Sequence, residues 1–496
     1  MAKLSLQFEP FSIILFIITV PWFNLSLCCP PYQKEALLQF KFLLLGNVSS
    51  NSNMELSGLE SWNSTSDCCH WERVRCHNSQ KVTSLDLFHL TPSLAMKTLV
   101  KSDVLAPLFH LQTLIFLDIS YNGHIQGEIP GVGLANLTNL VRLDMAGNVP
   151  AQIGNLTKLK FFSLYSNKVS GAIPPSLMLL TRLEYLDLGH NFFTMEIPTD
   201  IGNLSNISYL SLRENNFSGE IPPSIQKMED LEVADLCENN LEGTLPQWLA
   251  DTGEVPVTFP LVVKVLLLNE NEFSGVLPQE IAKFSRLRYL NLRSNNIGGE
   301  IPNFLSQMSS LLILNLRNNS FNGSIPISLS NLSALQILDL SYNNLSGKIH
   351  LVLESYRMIN NHDCPAKHDV PAKPSGQIPF PSSIAMARHV NRLPFGMQKF
   401  IYCLSNLDLS NNKLEGCIPG GPQMDRMNDP NSYANNNGLR GMQIKVPCEE
   451  IPSKPKQVKE KMVKKSKSSE TWFSWEMAVI GYPFGFLSTI FGFVCY

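Results

Sequence analysis

Leucines recur along the chain in a nine-residue pattern, LxxLxLxxN, with clear copies beginning at Leu183, Leu287 and Leu335. The leucines at the fourth and sixth positions alternate with variable residues, which is the period of a β-strand with one buried face. The pattern therefore predicts one short strand in each copy. The asparagines that close these copies are Asn122, Asn148, Asn167, Asn191, Asn215, Asn239, Asn271, Asn295, Asn319, Asn343 and Asn412.

Most of these asparagines lie 24 residues apart, and a fixed period of this length indicates a solenoid. No single repeat can bury its own apolar face, so neighbours must stack, and their strands form a parallel sheet on the concave side. Each asparagine side chain is expected to turn inward and to hydrogen-bond the turns of its own and the adjacent repeats. A long concave surface without a deep pocket favours binding of a macromolecule over catalysis.

In several repeats the second half ends in Gly-x-Ile-Pro, the end of an LxGxIP-type tail, as in Phe217–Pro222, Ile297–Pro302 and Phe321–Pro326. Glycine allows the backbone a left-handed turn, and proline fixes the direction in which the segment leaves it. The step from Asn148 to Asn167 is only 19 residues, which indicates a repeat that has lost its turn half.

This LxGxIP tail resembles the extracellular leucine-rich repeats of plants, over roughly residues 80–350 and one further repeat near 404–419. The resemblance implies an α/β repeat solenoid. Its expected form is a superhelix with a concave parallel β-sheet, a disulfide-bonded N-terminal cap and one C-terminal transmembrane helix.

The N-terminus has the features of a secretory signal peptide over residues 1–27, with Lys3 followed by an apolar run from Phe11 to Val20. The alternative, a membrane helix, requires more than these ten apolar residues. Secretion agrees with the 11 cysteines of the chain. It also agrees with Asn-x-Ser/Thr sequons at Asn47, Asn63, Asn136, Asn155, Asn203, Asn206, Asn216, Asn318, Asn322, Asn331 and Asn344.

Residues 28–80 resemble the N-terminal cap of plant repeats, in which a helix stapled by disulfides covers the first strand. The resemblance pairs Cys29 with Cys68 and Cys69 with Cys76. An alternative is a zinc site built from Cys68, Cys69, His70, Cys76 and His77. The family usually has glycine where Arg73 stands, so this residue is expected to perturb the turn of the cap.

The C-terminus, from Ala478 to Tyr496, is apolar, aromatic-rich and free of charge, which predicts a transmembrane helix. Gly481 and Gly485 form a small-xxx-small pair, which lets two membrane helices approach closely. Because no kinase domain follows, such a receptor is expected to signal through a partner. The preceding stretch has seven lysines between Lys454 and Lys467, and it is either a solvated linker or a patch for acidic wall polymers.

Together these features resemble the plant leucine-rich-repeat receptor-like proteins, which lack a kinase, and the exit segment Gly421–Asn436 and the Trp472–Glu476 motif resemble theirs. The resemblance implies a single-pass plasma-membrane receptor with its repeats outside the cell, working with a membrane adaptor receptor kinase through Gly481 and Gly485. The expected boundaries are 1–27 signal peptide, 28–80 cap, 81–347 repeats, 348–402 island-like segment, 403–420 final repeat, 421–451 C-terminal cap, 452–474 linker and 475–496 transmembrane helix.

The segment 348–402 breaks the period and matches the family's island, an insertion implicated in ligand or co-receptor binding. The alternative is decay, because relatives usually have several repeats after the island and this chain has one. Arg440 stands where relatives have cysteine, so Cys448 loses its expected partner, and Cys417 is a candidate substitute. The sequence leaves the pairing of Cys237, Cys364, Cys403, Cys417 and Cys448 open.

A ligand is expected to contact the third, fifth and seventh pattern positions, which point out of the concave sheet. An aromatic ridge is predicted from Phe161, Tyr185 and Tyr209, and the alternative for it is lateral packing between neighbouring strands. Tyrosine and arginine often anchor interfaces. The arginines at the seventh position, also proposed to bind ligand, are Arg213, Arg293 and Arg317.

Three functions compete. The first is a receptor for a pathogen- or development-related peptide, protein or polysaccharide. The second is a soluble or decoy binder, such as an inhibitor of wall-degrading enzymes, with a decayed non-functional paralogue as a further alternative. The third is an enzyme, against which the sequence has no GxSxG, HExxH or phosphate-loop motif. No cofactor or metal is expected, and a pI near 6.4 with net charge −3 argues against nucleic acid.

Overall fold

A computed structural model describes residues 29–46, 58–77, 80–90, 100–122, 125–145, 147–245, 262–350 and 404–448. The signal peptide, nearly all of the island-like segment, the lysine-rich linker and the membrane helix expected from the sequence lie outside these residues, as do Asn47, Gly481 and Gly485. Among the helices of the described ranges, none has the length and apolar character needed to cross a bilayer.

Short β-strands dominate the described residues, usually two in each repeat. In chain order they are β1 (Val74–Cys76), β2 (Val82–Asp86), β3 (Val100–Lys101), β4 (Phe116–Asp118), β5 (Ile125–Gln126), β6 (Arg142–Asp144), β7 (Phe161–Ser163), β8 (Ser170–Gly171), β9 (Tyr185–Asp187), β10 (Phe192–Glu196), β11 (Tyr209–Ser211), β12 (Asn216–Gly219), β13 (Val233–Asp235), β14 (Asn240–Leu241), β15 (Val265–Leu267), β16 (Ser274–Val276), β17 (Tyr289–Asn291), β18 (Asn296–Glu300), β19 (Ile313–Asn315), β20 (Ser320–Ser324), β21 (Ile337–Asp339), β22 (Asn344–Lys348), β23 (Asn406–Asp408), β24 (Lys413–Cys417) and β25 (Gly438–Arg440).

The leucine pattern builds one long sheet, in the order β1-β2-β4-β6-β7-β9-β11-β13-β15-β17-β19-β21-β23. Every pair in it is parallel except β1 and β2. Repeats stack in phase, so that Leu186 lies beside Leu210 and Leu290 beside Leu314, and these leucines are buried. The strands that follow the asparagines form smaller parallel sheets, β8-β10-β12-β14 and β16-β18-β20-β22-β24-β25, with β3 paired to β5. The parallel-sheet solenoid expected from the sequence is confirmed.

The helices are short apart from the cap helix. They are α1 (Pro31–Gly46), α2 (Gly131–Leu134) and α3 (Pro422–Arg426). Helix α1 buries Leu37, Phe40 and Leu44 in the core at the start of the solenoid. The return segments are 3₁₀ turns, several of which begin directly after the proline of the Gly-x-Ile-Pro sequence. The 3₁₀ turns span Cys68–His70, Ser102–His110, Ala151–Asn155, Pro175–Leu179, Ile201–Asn203, Pro223–Lys227, Gln279–Lys283, Asn303–Gln307, Ile327–Asn331, Pro430–Tyr433 and Met442–Ile444.

The asparagine ladder is confirmed, and Asn215 illustrates one rung. Its Nδ2 donates to the carbonyl oxygens of Leu188 in the preceding repeat, at 2.9 Å, and of Leu212 in its own, at 3.1 Å. Its Oδ1 accepts from the Phe193 N–H at 2.9 Å. The residue before the asparagine, Glu214, has a φ of 51°, a left-handed conformation that recurs at this position although no glycine marks it. The ladder therefore stabilises a backbone turn that the residue types alone do not favour.

One asparagine of the pattern is not a rung. Asn148 is exposed, and it follows Gly147, which has a φ of 93°. Its backbone pairs with that of Glu128, which follows the turn glycine Gly127 of the preceding repeat. Asn148 therefore holds the position directly after a turn glycine, not the ladder position. The short repeat has therefore lost its ladder asparagine and second strand, whereas the turn glycine and the following proline remain. The expectation that it had lost the turn half was wrong, because Gly147 and Val149-Pro150 supply that turn.

The repeats on either side of the island-like segment stack directly on each other. Strand β21 pairs with β23 in the same register as all other repeats, with Leu338 beside Leu407. The ladder continues across this point, because Asn412 Nδ2 donates to the Leu340 carbonyl oxygen at 3.0 Å. A further rung that the leucine pattern does not reveal is Asn436, whose Nδ2 donates to the Leu409 carbonyl oxygen at 2.9 Å. The segment 351–403 is thus an insertion between two contiguous repeats.

The cap has the disulfides implied by the resemblance, Cys29–Cys68 and Cys69–Cys76, so these sulfurs are not available as zinc ligands. Cys417 bonds Cys448, as the sequence had suggested for a substitute partner. Arg73 adopts a φ of 67°, a conformation that glycine adopts more easily. Strands β1 and β2 nevertheless pair beside it, so the cap tolerates the arginine.

Candidate ligand-binding surface

The outward side of the long sheet is called the strand face here, and it consists of the third, fifth and seventh residues of each repeat. Each of these positions forms a column, because the strands stack in register. On the third column, Tyr185 lies beside Phe161 on one side and Tyr209 on the other. The sequence prediction that these three rings come together is therefore confirmed by the geometry.

The aromatic column is longer than the sequence indicated. The rings of Phe161 and Tyr185 stack with centroids 4.1 Å apart, and those of Tyr185 and Tyr209 with centroids 4.3 Å apart. Arg142, at the third position of the short repeat, places its guanidinium 3.6 Å from the Phe161 ring centroid and 5.5 Å from that of Phe116. A cation over an aromatic face is attracted by the ring quadrupole. The sequence did not identify Arg142 and Phe116, although both stand at the third position.

Lateral packing explains part of this arrangement. Tyr209 is only 6% exposed, whereas Phe161 and Tyr185 are half-buried. The Tyr185 hydroxyl donates to the Asp187 carboxylate at 3.3 Å. The column thus presents the edges of its stacked rings, with the half-buried Phe161 and Tyr185 as the accessible part.

The fifth column has a structural role that the sequence reasoning missed. The side-chain oxygen of Asp187 accepts the backbone N–H of Gly189 at 3.0 Å, and Asp339 accepts that of Ser341 at the same distance. This bond closes the turn that follows the strand, and it recurs from repeat to repeat. The signal for it was the run of Asp, Asn and Ser at this position. The other residues that make the bond are Asp86, Asp118, Ser163, Asp235, Asn291, Asn315 and Asp408.

The three arginines proposed as ligand contacts all form intramolecular ion pairs. Arg213 pairs with Glu214 and lies 3.7 Å from Glu238. Arg293 lies 3.6 Å from Glu270. His190 is added to the first of these pairs, with its Nε2 2.6 Å from the Glu214 carboxylate.

Arg317 spans two repeat boundaries. Its Nη1 donates to Ser341 Oγ at 2.9 Å and lies 3.6 Å from the Asp408 carboxylate, and its guanidinium sits 4.4 Å from the Tyr342 ring centroid. Because Asp408 follows the inserted segment, this arginine fastens the repeats on both sides of the insertion to each other. A ligand that uses Arg317 has to share it with these partners.

An apolar cluster separate from the main core lies on the strand face of the central repeats. Val265 is fully buried, Leu267 is 4% exposed and Tyr289 is 7% exposed. The cluster is completed by Tyr209, Val233, Cys237 and Ile313. The strand face therefore changes along its length, from aromatic and acidic in the first repeats to apolar with arginines in the later ones.

Three carboxyl groups of the fifth column have altered acidity. Burial raises the pKa of Asp144, Asp187 and Asp339 to about 6. A raised folded-state pKa means that these groups stabilise the fold at low pH and lose that contribution as pH rises from about 4 to 6. Each is expected to account for about 1–3 kcal/mol.

A pH titration tests this. Two repeats have asparagine at this position, Asn291 and Asn315, and both accept the turn N–H. Replacing Asp187 and Asp339 together with asparagine therefore keeps the turn bond and removes the charge. The double variant is expected to lose less stability between pH 4.5 and 7 than the wild type. Urea midpoints measured at both pH values give the comparison, and identical pH slopes would contradict the raised pKa values.

The sequons of the described residues all lie at exposed asparagines. Asn203 and Asn331 end 3₁₀ turns, whereas Asn216 and Asn344 begin strands of the smaller sheets. None belongs to the third, fifth or seventh columns, so glycans at these positions leave the strand face accessible. The exposed set is Asn63, Asn136, Asn155, Asn203, Asn206, Asn216, Asn318, Asn322, Asn331 and Asn344.

Comparisons with known proteins agree with this architecture. Residues 30–77 match the leucine rich repeat N-terminal domain. The Leucine Rich Repeat family matches residues 182–204, 206–228, 286–308, 310–332, 334–355 and 403–423. The chain is 42% identical over 118 residues to Receptor-like protein 46 of Arabidopsis thaliana, a match that covers 23% of this chain and 14% of that protein. These matches support a plant leucine-rich-repeat receptor-like protein.

Another relative of this receptor-like protein is Receptor-like protein EIX2 of Solanum lycopersicum, 34% identical over 137 residues, or 26% of this chain and 12% of that protein. The matches thus span well under a fifth of these relatives' lengths. Among solved structures, the ectodomain of the Arabidopsis thaliana receptor kinase GASSHO1/SCHENGEN3 is 25% identical with a TM-score of 0.55, covering 82% of this chain and 47% of that one. It was solved in complex with CASPARIAN STRIP INTEGRITY FACTOR 2. The leucine-rich-repeat receptor-like family that these matches support is non-enzymatic and binds ligands.

Proposed function

We propose that this receptor-like protein sits in the plasma membrane, binds an extracellular peptide or protein on its strand face and signals through a partner receptor kinase. The observation that carries the proposal is the aromatic column from Phe116 to Tyr209, on a face without sequons. Its half-buried rings, Phe161 and Tyr185, offer rigid apolar edges next to the carboxylates of the fifth column. Aromatic side chains of this kind often dominate the energy of protein interfaces.

The relatives support the same class of ligand. The receptor kinase ectodomain with the shared fold was solved with CASPARIAN STRIP INTEGRITY FACTOR 2 bound. In this chain, we propose Phe161, Tyr185, Tyr209, Arg213, Arg293 and Arg317 as ligand contacts. Gly481 and Gly485 are proposed to contact the membrane helix of the kinase partner. The ligand is proposed to be pathogen- or development-related.

Extraction from plant membranes tests the location. The tagged full chain, expressed in plant cells, is expected to resist alkaline carbonate and to gain electrophoretic mobility on glycosidase treatment, because a membrane span and exposed sequons are proposed. A glycosylated chain released into the medium would instead favour a soluble or decoy binder. Retention with only immature glycans would favour a decayed paralogue.

Co-purification tests the partner. From the same membranes, a receptor kinase is expected to co-purify with the wild-type chain and to be reduced at least tenfold with Gly481→Leu combined with Gly485→Leu, since bulky residues keep two helices apart. Gly492→Leu on the same segment is the matched control and is expected to retain the kinase. Equal recovery with all three proteins would remove these two glycines from the proposal.

A further inference from the structure

The fifth column contains an asparagine whose side-chain Nδ2 donates no hydrogen bond within the described ranges. The turn bond of this column requires only an acceptor, which aspartate or serine supplies at most positions. Asn291 and Asn315 add an amide donor to it. Asn291 Nδ2 donates to Asn269 Oδ1 at 2.9 Å. Asn315 is fully buried, and within the described ranges its Nδ2 has no hydrogen-bond partner.

Stacking explains why the two asparagines differ. Asn291 finds its acceptor at the seventh position of the preceding repeat, where Asn269 stands. For Asn315, the same position of the preceding repeat is occupied by Arg293, which offers donors only. The Arg293 Nε is also buried without a hydrogen-bond partner in the described part of the chain, although its Nη2 lies 3.6 Å from Glu270.

These two donors lie close together on one face. Asn315 is the lateral neighbour of Asn291, and Arg293 follows Asn291 by two residues on the same side of the strand. With strands about 4.8 Å apart and residues about 3.3 Å apart along a strand, diagonal neighbours lie about 8 Å apart at the backbone. One group can then reach both side chains. A buried donor without an acceptor is unfavourable, and one acceptor placed between these two side chains would satisfy both.

We propose that Arg293 and Asn315 form a subsite for an acceptor oxygen of the ligand, a peptide carbonyl or carboxylate. Tyr289 and Ile313, at the third position of the same two repeats, add an apolar wall that suits a neighbouring apolar side chain. The subsite rests on the proposed recognition function and specifies the chemistry of one ligand group.

Stability measurements test the subsite without any ligand. Asn315→Ser and Asn291→Ser are matched substitutions in adjacent repeats, and Ser163 shows that serine accepts the turn N–H at this position, at 3.2 Å. Asn291→Ser is expected to lower the urea midpoint because it deletes an internal bond. Asn315→Ser is expected to leave the midpoint unchanged or to raise it. A decrease equal to that of Asn291→Ser would show that Nδ2 is already satisfied, and it would overturn the proposal.

Binding is measured by ligand-observed NMR with N-acetyl-phenylalanine and its amide, added to the purified full chain in detergent. The wild type is expected to give a saturable response, weakened at least tenfold by Asn315→Ser and less than twofold by Asn291→Ser. A response to the acid alone assigns a carboxylate, and equal responses to acid and amide assign a carbonyl. No saturable response, or equal affinities in wild type and Asn315→Ser, would overturn the subsite. The receptor proposal would stand, because it is tested separately by membrane extraction and by the tyrosine variants of the aromatic column.

Discussion

Replacing Asn215 with alanine is expected to destabilise the solenoid by about 2 kcal/mol, mainly because one buried backbone N–H loses its acceptor. The substitution leaves the Phe193 N–H without its acceptor. It also removes one of two donors to the carbonyl oxygens of Leu188 and Leu212, which keep the Nδ2 groups of Asn191 and Asn239. Because these groups belong to two repeats, the loss weakens the interface that couples neighbours in a repeat protein. The urea midpoint of the purified protein, followed by tryptophan fluorescence, measures the effect.

Asn148→Ala is the matched control, since Asn148 closes the same sequence pattern. Its side chain is exposed, and its backbone occupies the place after a turn glycine. The change is therefore expected to alter stability by less than about 0.5 kcal/mol. If both variants lost the same free energy of unfolding, the hydrogen bonds of the ladder would contribute nothing beyond what an exposed asparagine contributes.

Replacing Tyr185 and Tyr209 together with leucine is expected to weaken ligand binding by about a thousandfold, because each ring is proposed as an interface anchor worth about 2 kcal/mol. Leucine keeps apolar volume between the strands, so the variant is expected to fold and to reach the cell surface. Photo-cross-linking to a peptide pool from plant extracellular fluid, quantified by mass spectrometry, measures the binding.

Two controls place the site. Phe88 and Tyr121 form another aromatic pair, with centroids 5.0 Å apart and both rings more than 40% exposed, and alanine at both positions is expected to leave binding intact. In the second control, 45 residues of the insertion are deleted. Leu335 and Leu404 stand 69 positions apart, so this deletion restores a 24-residue step. Unchanged binding in the tyrosine variant, with loss in the deletion, would move the ligand site to the island-like segment.

The repeating part of this fold was predictable from local sequence. A period of 24 residues, with leucines at alternating positions, predicts strands that must stack, because a strand with one apolar face has no other way to bury it. The cap disulfides followed from a resemblance in Cys29, Cys68, Cys69 and Cys76. The alignment of Phe161, Tyr185 and Tyr209 followed from equal spacing, since equal positions in stacked strands become neighbours.

Spacing could not show how side chains of different repeats share their partners. Asn148 has the sequence context of a rung, yet the shortened turn moves it out of the ladder. Arg213 and Arg317 stand on the ligand face by position, but Glu238 of the next repeat engages the first and Asp408, two repeats on, engages the second. Arg142 enters the aromatic column because a neighbouring ring is available on either side.

By itself, the sequence determined the solenoid, its phase and the residues that share each column, because these depend on a period within one strand. Only the tertiary structure decided which column residues are engaged and which remain available. That outcome depends on what the preceding repeat places beside each residue. Asn269 offers an acceptor to Asn291, whereas Arg293 offers none to Asn315. Hydrogen bonds and ion pairs between repeats are contacts across space, and a pattern along the chain does not contain them.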